Sequence, residues 1–248
     1  MNQQQKANEY VQLTKPGYFL KTSNFIIPLL LTIGSFLFIY GIYIGLMATE
    51  TDVQQGENYR IVYIHVPAAW VCMLLYLMLT ISSALYLIYK HPLTVIISES
   101  ISKTGALFTF ITLVTGSLWG FPTWGTFWVW DARLTSVFIL LLLYVGHIAI
   151  IINKNTNEKS HKIGAILAIV GFINIPIIKY SVDWWTTLHQ GASVTQFKTS
   201  IDPTILYPML IVFISFLVYS LYIVSCNIKR DILHRKATLL KIKYKNII

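Results

Sequence analysis

The sequence predicts an all-α polytopic membrane protein with six transmembrane helices, both termini cytoplasmic and a tryptophan-rich outer loop between helices 3 and 4. Of the 248 residues, 55% are hydrophobic and only 12% are charged, about half the charged share of a soluble globular domain. A helix needs about 20 mostly apolar residues to cross a hydrocarbon core of about 30 Å. Six runs meet that requirement, at 25–47, 66–89, 104–120, 135–152, 163–180 and 204–226. We treat residues 1–248 as a single membrane domain.

The six runs differ in how closely their composition matches that of a membrane-spanning helix. The first follows a polar stretch that lacks the apolar core and the small-residue cleavage site of a secretory signal, so we expect no removable leader. Gly105 and Gly116 dilute the third run, and Asn174 and Pro176 interrupt the fifth. Small residues and proline are common in spanning helices that pack on neighbours. Both runs therefore count as helices.

Lysine and arginine predict the orientation, because they are retained on the cytoplasmic side. Fifteen of the 19 fall in the N-terminal segment, the loops 90–103 and 153–162, and the basic tail 227–248. They are Lys6, Lys15, Lys21, Lys90, Lys103, Lys154, Lys159, Lys162, Lys229, Arg230, Arg235, Lys236, Lys241, Lys243 and Lys245. The other four are Arg60, Arg133, Lys179 and Lys198. The net charge of +9 thus reflects topology, with the tail beside anionic lipid or a partner protein rather than nucleic acid.

The two cysteines indicate no redox chemistry. Cys72 lies early in the second run and Cys226 ends the sixth, so the predicted topology keeps them too far apart for a disulfide. The chain has no CxxC and no CxxCH motif, which argues against a thiol oxidoreductase and against a c-type cytochrome.

Tryptophan is concentrated on one side of the predicted membrane. All seven tryptophans lie in or beside the outer segments 48–65, 120–134 and 181–203, whereas interfacial aromatic belts form at both surfaces. They are Trp70, Trp119, Trp124, Trp128, Trp130, Trp184 and Trp185. Belt anchoring accounts for single tryptophans, but the cluster at 124, 128 and 130 indicates a binding surface.

The stretch WGTFWVWDARLT, from Trp124 to Thr135, has the spacing of an interfacial helix. A helical turn or two would place Trp124, Trp128, Asp131 and Thr135 on one face and point Trp130 away. Such a face is a flat aromatic shelf bordered by an acid. It suits a large planar ligand with apolar faces and a polar rim.

The positions of the histidines indicate which planar ligand would bind. His65 and His189 fall in two different outer segments, with the tryptophan cluster between them in sequence. The three histidines in cytoplasmic segments are His91, His161 and His234. Imidazole is a standard axial ligand of haem iron, so the outer pair indicates a haem bound from both sides.

Two arginines on the outer side, Arg60 and Arg133, are the candidate partners of the haem propionates, because guanidinium binds carboxylate through two hydrogen bonds. A zinc site is the alternative use of the histidines, and Asp183 or Asp52 could complete it. His147, inside the fourth run, is satisfied by one hydrogen bond to a neighbouring helix or marks a second functional site.

Three segments, QGENYRIVYIHVPAAW, TGSLWGFPTWGTFWVWDARLTS and DWWTTLHQG, resemble the WWD haem-handling membrane proteins of cytochrome c biogenesis. Among these proteins, the three segments are most similar to the haem exporter C family (CcmC) of the cytochrome c maturation system. The resemblance extends over nearly the whole chain, including the six runs and the basic tail. One departure is Phe121, where a lysine is expected between WG and P.

The resemblance implies a non-covalent haem b at the outer face of an inner membrane. His65 and His189 match the axial ligands of the family. The WWD segment, 120–135 with Trp119 before it, would cradle the haem. Its candidate haem contacts are Trp119, Trp124, Trp128, Trp130, Asp131 and Arg133. The implied partners are a membrane-anchored haem chaperone that receives the haem, ABC-type transporter subunits and a small single-span protein.

The expected role is to hold and orient haem, with the bond-forming residue on the partner. The outer segments contain no Ser-His-Asp order, glycine-rich phosphate loop or paired carboxylates, so we assign no catalytic residue. Three alternatives remain: a transporter that conducts haem or another solute through the helices, a quinone-handling redox protein and a structural subunit. The inner membrane is that of a bacterium or a mitochondrion.

Overall fold

A computed structural model describes residues 16–151, 158–189 and 201–245. The described part of the chain is helical, with one short 3-10 helix at Glu57–Ile61. The α-helices are α1 (Pro16–Met47), α2 (Val62–Tyr89), α3 (Pro92–Trp124), α4 (Ala132–Ile151), α5 (Glu158–Gly171), α6 (Asn174–Trp184) and α7 (Pro203–Lys245).

The predicted all-helical class with six spanning helices is confirmed. Among the described residues, six helical segments are long and apolar enough to cross a membrane: Phe19–Met47, Glu57–Tyr89, Pro92–Trp124, Ala132–Ile151, Glu158–Trp184 and Pro203–Lys243. The fifth consists of α5 and α6, which are separated by a turn at residues 172 and 173. Pro176 lies in the first turn of α6, where its missing N–H leaves no helical hydrogen bond unmade. The interruption expected from Asn174 and Pro176 is therefore a real break in the helix.

Several helices are longer than their predicted runs. α3 begins at Pro92 rather than at residue 104, and α7 continues to Lys245 through most of the predicted basic tail. The start of α3 was missed because its charged residues read as a loop. Glu99 and Lys103 are one turn apart in that start and form an ion pair of 2.6 Å, which helix geometry favours.

The helices pack around α2, which contacts α3, α5 and α7. α1 lies along α7, and α4 lies between α3 and the α5–α6 pair. Many large apolar side chains face outward, as expected for a lipid-facing surface; they include Phe25, Phe36, Ile39, Ile88 and Val170, each more than half exposed.

Two glycines make room for two fully buried tyrosines of the core. A Cβ added to Gly105 would lie 2.1 Å from Cζ of Tyr144, and one added to Gly171 would lie 2.1 Å from the Tyr76 hydroxyl. The Tyr76 and Tyr144 rings are fully buried and meet edge to face, 5.1 Å apart. Small residues thus let α3 and α5 approach the tyrosines of α4 and α2 closely.

Buried polar side chains bond mainly to helix backbone. Thr104, Thr109 and Thr112 donate to carbonyls one turn earlier in α3, so these three hydroxyl protons are satisfied within the helix. Other bonds join helices: the Tyr144 hydroxyl donates to the carbonyl of Cys72 at 2.7 Å, and Asn174 Nδ2 donates to that of Ser136 at 2.8 Å. Such bonds fix the helices against one another.

His147 breaks this pattern. It is only 1% exposed, and neither ring nitrogen has a hydrogen-bond partner among the described residues. The predicted hydrogen bond to a neighbouring helix is therefore wrong. An unsatisfied buried polar group costs about 1–3 kcal/mol, so this position needs an explanation.

The two ends of the bundle differ in composition. The tryptophan end comprises the C-terminal ends of α1, α3 and α6 and the N-terminal ends of α2, α4 and α7. The lysine end is the opposite one, where Lys90 pairs with Glu158 at 2.7 Å. Cys72 and Cys226 are both free thiols, as predicted.

Candidate functional site

The last three turns of α3 form the floor of the candidate site at the tryptophan end. Trp119 and Trp124 lie on this stretch, and the helix ends at Gly125, whose backbone adopts the left-handed conformation with φ 72°. Gly125 N–H donates to the carbonyl of Phe121 at 2.9 Å. A non-glycine residue would be strained here, so the glycine sets where the helix stops.

His65 lies in the first turn of α2 and packs against this floor. Its ring is 5.5 Å from the Trp119 ring, edge to face, and Nδ1 lies 3.1 Å from the Thr115 hydroxyl oxygen. Gly116 leaves the space for the imidazole, since a Cβ there would lie 2.9 Å from its Cε1. Sequence reasoning missed Thr115 and Gly116; their position one turn before Trp119 was the available signal.

The Thr115 contact defines the tautomer of His65. The Thr115 hydroxyl donates its single proton to the backbone carbonyl of Ile111, at 2.7 Å. Its oxygen can therefore only accept, so Nδ1 of His65 must be the protonated nitrogen that donates to it. The lone pair of this ring is then on Nε2, the nitrogen that can bind a metal.

His189 is held by a carboxylate at the other side of the floor. Its Nδ1 lies 2.6 Å from Oδ2 of Asp131, and its ring is 5.0 Å from the Trp124 ring. The other carboxylate oxygen of Asp131 accepts from the backbone N–H of Leu134 at 2.8 Å and so caps α4. Asp131 thus fixes the His189 ring to the start of α4 and again leaves Nε2 with the lone pair.

The protonation state of His189 suits a metal ligand. Burial lowers the pKa of His189 below its ordinary value of 6.5, and this effect outweighs the opposing effect of the Asp131 carboxylate. The imidazole is therefore neutral at pH 7, which a metal ligand requires, and becomes protonated only as the pH falls through that lowered pKa.

Both histidines pack against the end of α3, His65 beside Trp119 and His189 beside Trp124. The positive charge of Arg133 acts on both rings. Arg133 is half-buried, with Nε 3.4 Å from the Ser181 hydroxyl at the end of α6. The structure therefore brings together His65, His189, Trp119, Trp124, Asp131 and Arg133.

Arg60 has a different role in the structure. Its NH1 donates to the carbonyl of Gly45 at 2.7 Å and to the Thr49 hydroxyl at 2.8 Å, and its NH2 donates to the carbonyl of Thr49 at 3.0 Å. Its Nε pairs with Glu57. The guanidinium that we considered for a carboxylate partner is thus bound to the C-terminal end of α1, and Arg133 is the cation beside both histidines.

The segment 125–131 is not the interfacial helix that the spacing predicted. It is irregular, because Gly125 ends α3 and Asp131 starts α4. Trp128 contacts Trp130 edge to face at 5.4 Å, so the two do not point apart as expected. Trp130 is 77% exposed, whereas Trp128 packs against Phe138 with a buried indole N–H that has no partner among the described residues.

Trp119 and Asp52 also form hydrogen bonds that hold the loop before α2. Trp119 donates its indole N–H to the Gln55 side chain at 2.7 Å, which ties the loop before α2 to the floor. Asp52, considered for a zinc site, caps that loop by accepting from the N–H groups of Gln54 and Gln55. Across the described residues, no group of three His, Cys, Asp or Glu could hold a metal ion.

Comparison with known sequences follows this geometry. A sequence model of the family named heme exporter protein C (CcmC) matches residues 9–243. A ccmC-like mitochondrial protein of cytochrome c biosynthesis from Marchantia polymorpha is 49% identical over 84% of this chain and 88% of its own length. Heme exporter protein C of Bradyrhizobium diazoefficiens is 40% identical over 91% of this chain and 86% of its own, and that of Escherichia coli 41% over 80% of each.

The range matched by the family model includes every residue of the candidate site. The matches agree with the six apolar helices in assigning the chain to an inner membrane as a multi-pass protein. They also assign it to haem handling in cytochrome c maturation, alongside other membrane components of that system. The chain belongs to the haem exporter protein C (CcmC) family.

Proposed function

We propose that the chain binds haem b non-covalently at the tryptophan end, with Nε2 of His65 and Nε2 of His189 as the two axial ligands of the iron. The observation that carries the proposal is the matched hydrogen bonding of the two rings. Thr115 accepts from one Nδ1 and Asp131 from the other, so both rings keep a lone pair on Nε2. Such partners fix both the tautomer and the orientation of a metal-binding histidine.

The surroundings suit an iron porphyrin. Trp119 and Trp124 line the two histidines with apolar rings, which would cover the faces of a macrocycle. Arg133 is the cation available to a propionate, because the donors of Arg60 are engaged at α1. Neutral imidazoles and aromatic walls fit haem better than zinc, for which two histidines are too few ligands.

We further propose that the tryptophan end faces the extracytoplasmic side and delivers haem to a membrane-anchored haem chaperone. The excess of lysine and arginine in the segments at the lysine end supports this orientation. The exposed Trp130 beside the site is a natural contact for the partner. The chaperone supplies the residue that bonds to the haem, and this chain orients the haem for it.

The visible spectrum of the purified protein tests the haem site. The wild-type protein is expected to carry six-coordinate, low-spin haem. Each of the variants His65→Ala and His189→Ala should lose at least about tenfold in haem affinity, a change of 1.4 kcal/mol. Haem that remains should become high-spin, because one axial ligand is gone. His234→Ala, at an exposed histidine of α7, is the matched control, and wild-type spectra from both single variants would refute the proposal.

Delivery is tested at Trp130. Trp130→Ala should leave bound haem within about twofold of wild type, since the ring is mostly exposed, while haem transfer to the purified chaperone falls at least about fivefold, as expected for an exposed aromatic contact. Transfer is measured as covalent haem on the chaperone per haem supplied. Trp184→Ala, at a second exposed tryptophan of the same end, is the control. Equal transfer by Trp130→Ala and wild type would remove this contact.

A further inference from the structure

A small polar cavity lies near the lysine end, where four helices meet. Its volume is about 10 Å³. Its lining comes from α2, α3, α4 and α5: Ser83, Tyr86, Val95, Ser98, His147, Ile151, His161 and Ala165. It is separate from the haem site, because His147 lies in the last third of α4, whereas Asp131 precedes its first residue.

Two of the lining side chains have polar atoms without partners. Both ring nitrogens of His147 and the hydroxyl oxygen of Ser83 are buried and unpaired within the described part of the chain. His147 is 1% exposed and Ser83 likewise 1%. The hydroxyls of Tyr76 and Ser100 are also buried and unpaired among the described residues, but at this cavity two unpaired side chains, on α2 and α4, line the same space. Such a pair indicates a shared hydrogen-bonding molecule.

A third side chain completes a set of partners. The Ser98 hydroxyl donates to the carbonyl of Val95 at 2.9 Å, so its oxygen remains free to accept a second hydrogen bond. Ser83 and the imidazole of His147 can each donate or accept. A buried water needs two to four polar partners and a cavity of about 10–15 Å³. This cavity therefore meets both requirements for one water molecule and is too small for anything much larger.

The cavity lies close to the lysine end. His161 is half-buried on the lining and packs edge to face on Tyr86, with ring centroids 5.8 Å apart. Tyr86 lies one turn before Lys90, where α2 ends and the Lys90–Glu158 ion pair is exposed.

We propose that this cavity holds one ordered water molecule, which bonds a ring nitrogen of His147 and the hydroxyls of Ser83 and Ser98. The water joins α4 to α2 and α3, which are already joined at this level by the hydrogen bond from the Ser82 hydroxyl to the Thr94 carbonyl, at 3.0 Å. It gives the spanning region a hydrated histidine distinct from the two proposed iron ligands. The site stands whether or not the haem proposal holds.

Transfer of magnetisation from water protons to the protein tests the site, measured by solid-state NMR on the full chain in lipid bilayers. His147 ring signals, assigned by their loss in His147→Gln, should build up at least about threefold faster than those of the Tyr144 hydroxyl, because a buried water contacts only the former. Tyr144 is the dry reference, since it is fully buried and bonded to the Cys72 carbonyl.

The double variant Ser83→Val and Ser98→Val should abolish the fast build-up at His147. Thr109→Val, at a buried hydroxyl bonded to its own helix, should leave it unchanged. A His147 build-up in the wild-type protein as slow as that of Tyr144 would overturn the proposal, and this measurement does not depend on any variant folding. A fast build-up that persists in the folded double variant would also overturn it.

Discussion

Protein carrying both His65→Ala and His189→Ala should retain no haem, a loss of more than about a hundredfold in affinity if each ligand contributes about tenfold and the two add. The reason is that no third imidazole lies beside Trp119 or Trp124 within the described residues. The measurement is the Soret absorbance per protein, together with the thermal midpoint of unfolding. We expect the Soret band to disappear while the midpoint moves little, because the lost contacts are at one end of the bundle.

A rescue experiment distinguishes the loss of the two iron ligands from a disruption of the haem site. In His65→Gly with His189→Gly, millimolar imidazole should restore a low-spin spectrum, because free imidazole can occupy both vacated positions between the aromatic walls. His234→Ala, far along α7, should keep full haem content. A double variant with the wild-type Soret band would show that the iron is bound elsewhere.

Among glycine-to-alanine changes in the described helices, Gly105→Ala and Gly171→Ala are expected to cost the most stability. In Gly105→Ala, the new Cβ would lie 2.1 Å from Cζ and 2.4 Å from the hydroxyl of Tyr144. That ring has nowhere to move, since it is fully buried, packs on Tyr76 and donates to the Cys72 carbonyl. Overpacking of a core commonly costs about 1–3 kcal/mol, and the upper end applies here.

Thermal unfolding in detergent, followed by the loss of monodisperse protein, measures this effect. Gly146→Ala is the matched control, because its Cβ would meet only Leu167 Cδ2, at an ordinary 3.4 Å; its effect should stay within about 0.5 kcal/mol. Combining Gly105→Ala with Tyr144→Leu should destabilise less than the sum of the two single changes, since the shorter side chain relieves the overlap. Strict additivity would mean that α3 and α4 are not in the described register.

The helices could be predicted from the sequence because hydrophobic length is a local property. The six runs, the break near Pro176 and the free cysteines all follow from residue type and spacing. The extension of α3 to Pro92 could not be read in the same way, because Glu99 and Lys103 count against a membrane span individually and only their pairing in a helix offsets this.

The sequence indicated which residue types gather at the tryptophan end, but not which side chains contact each other there. The indication came from the positions of histidine and tryptophan on one side of the predicted membrane. The bond between Asp131 and His189 joins residues 58 positions apart, and the Thr115 contact of His65 spans 50. No periodicity encodes such pairs. The same holds for Arg60, whose binding to the end of α1 depends on how the 3-10 helix approaches Gly45 and Thr49.

The two histidines of the candidate site are positioned by different helices. Asn174, at the start of α6, donates a hydrogen bond to Ser136 of α4, and Ser181, near the end of α6, accepts one from Arg133 of α4. The segment that leads to His189 is therefore held against α4 and Asp131. His65 is instead part of α2 and packs against the end of α3. The two imidazoles are thus positioned by different groups of helices. The distance between the two rings depends on how α3 packs against α4.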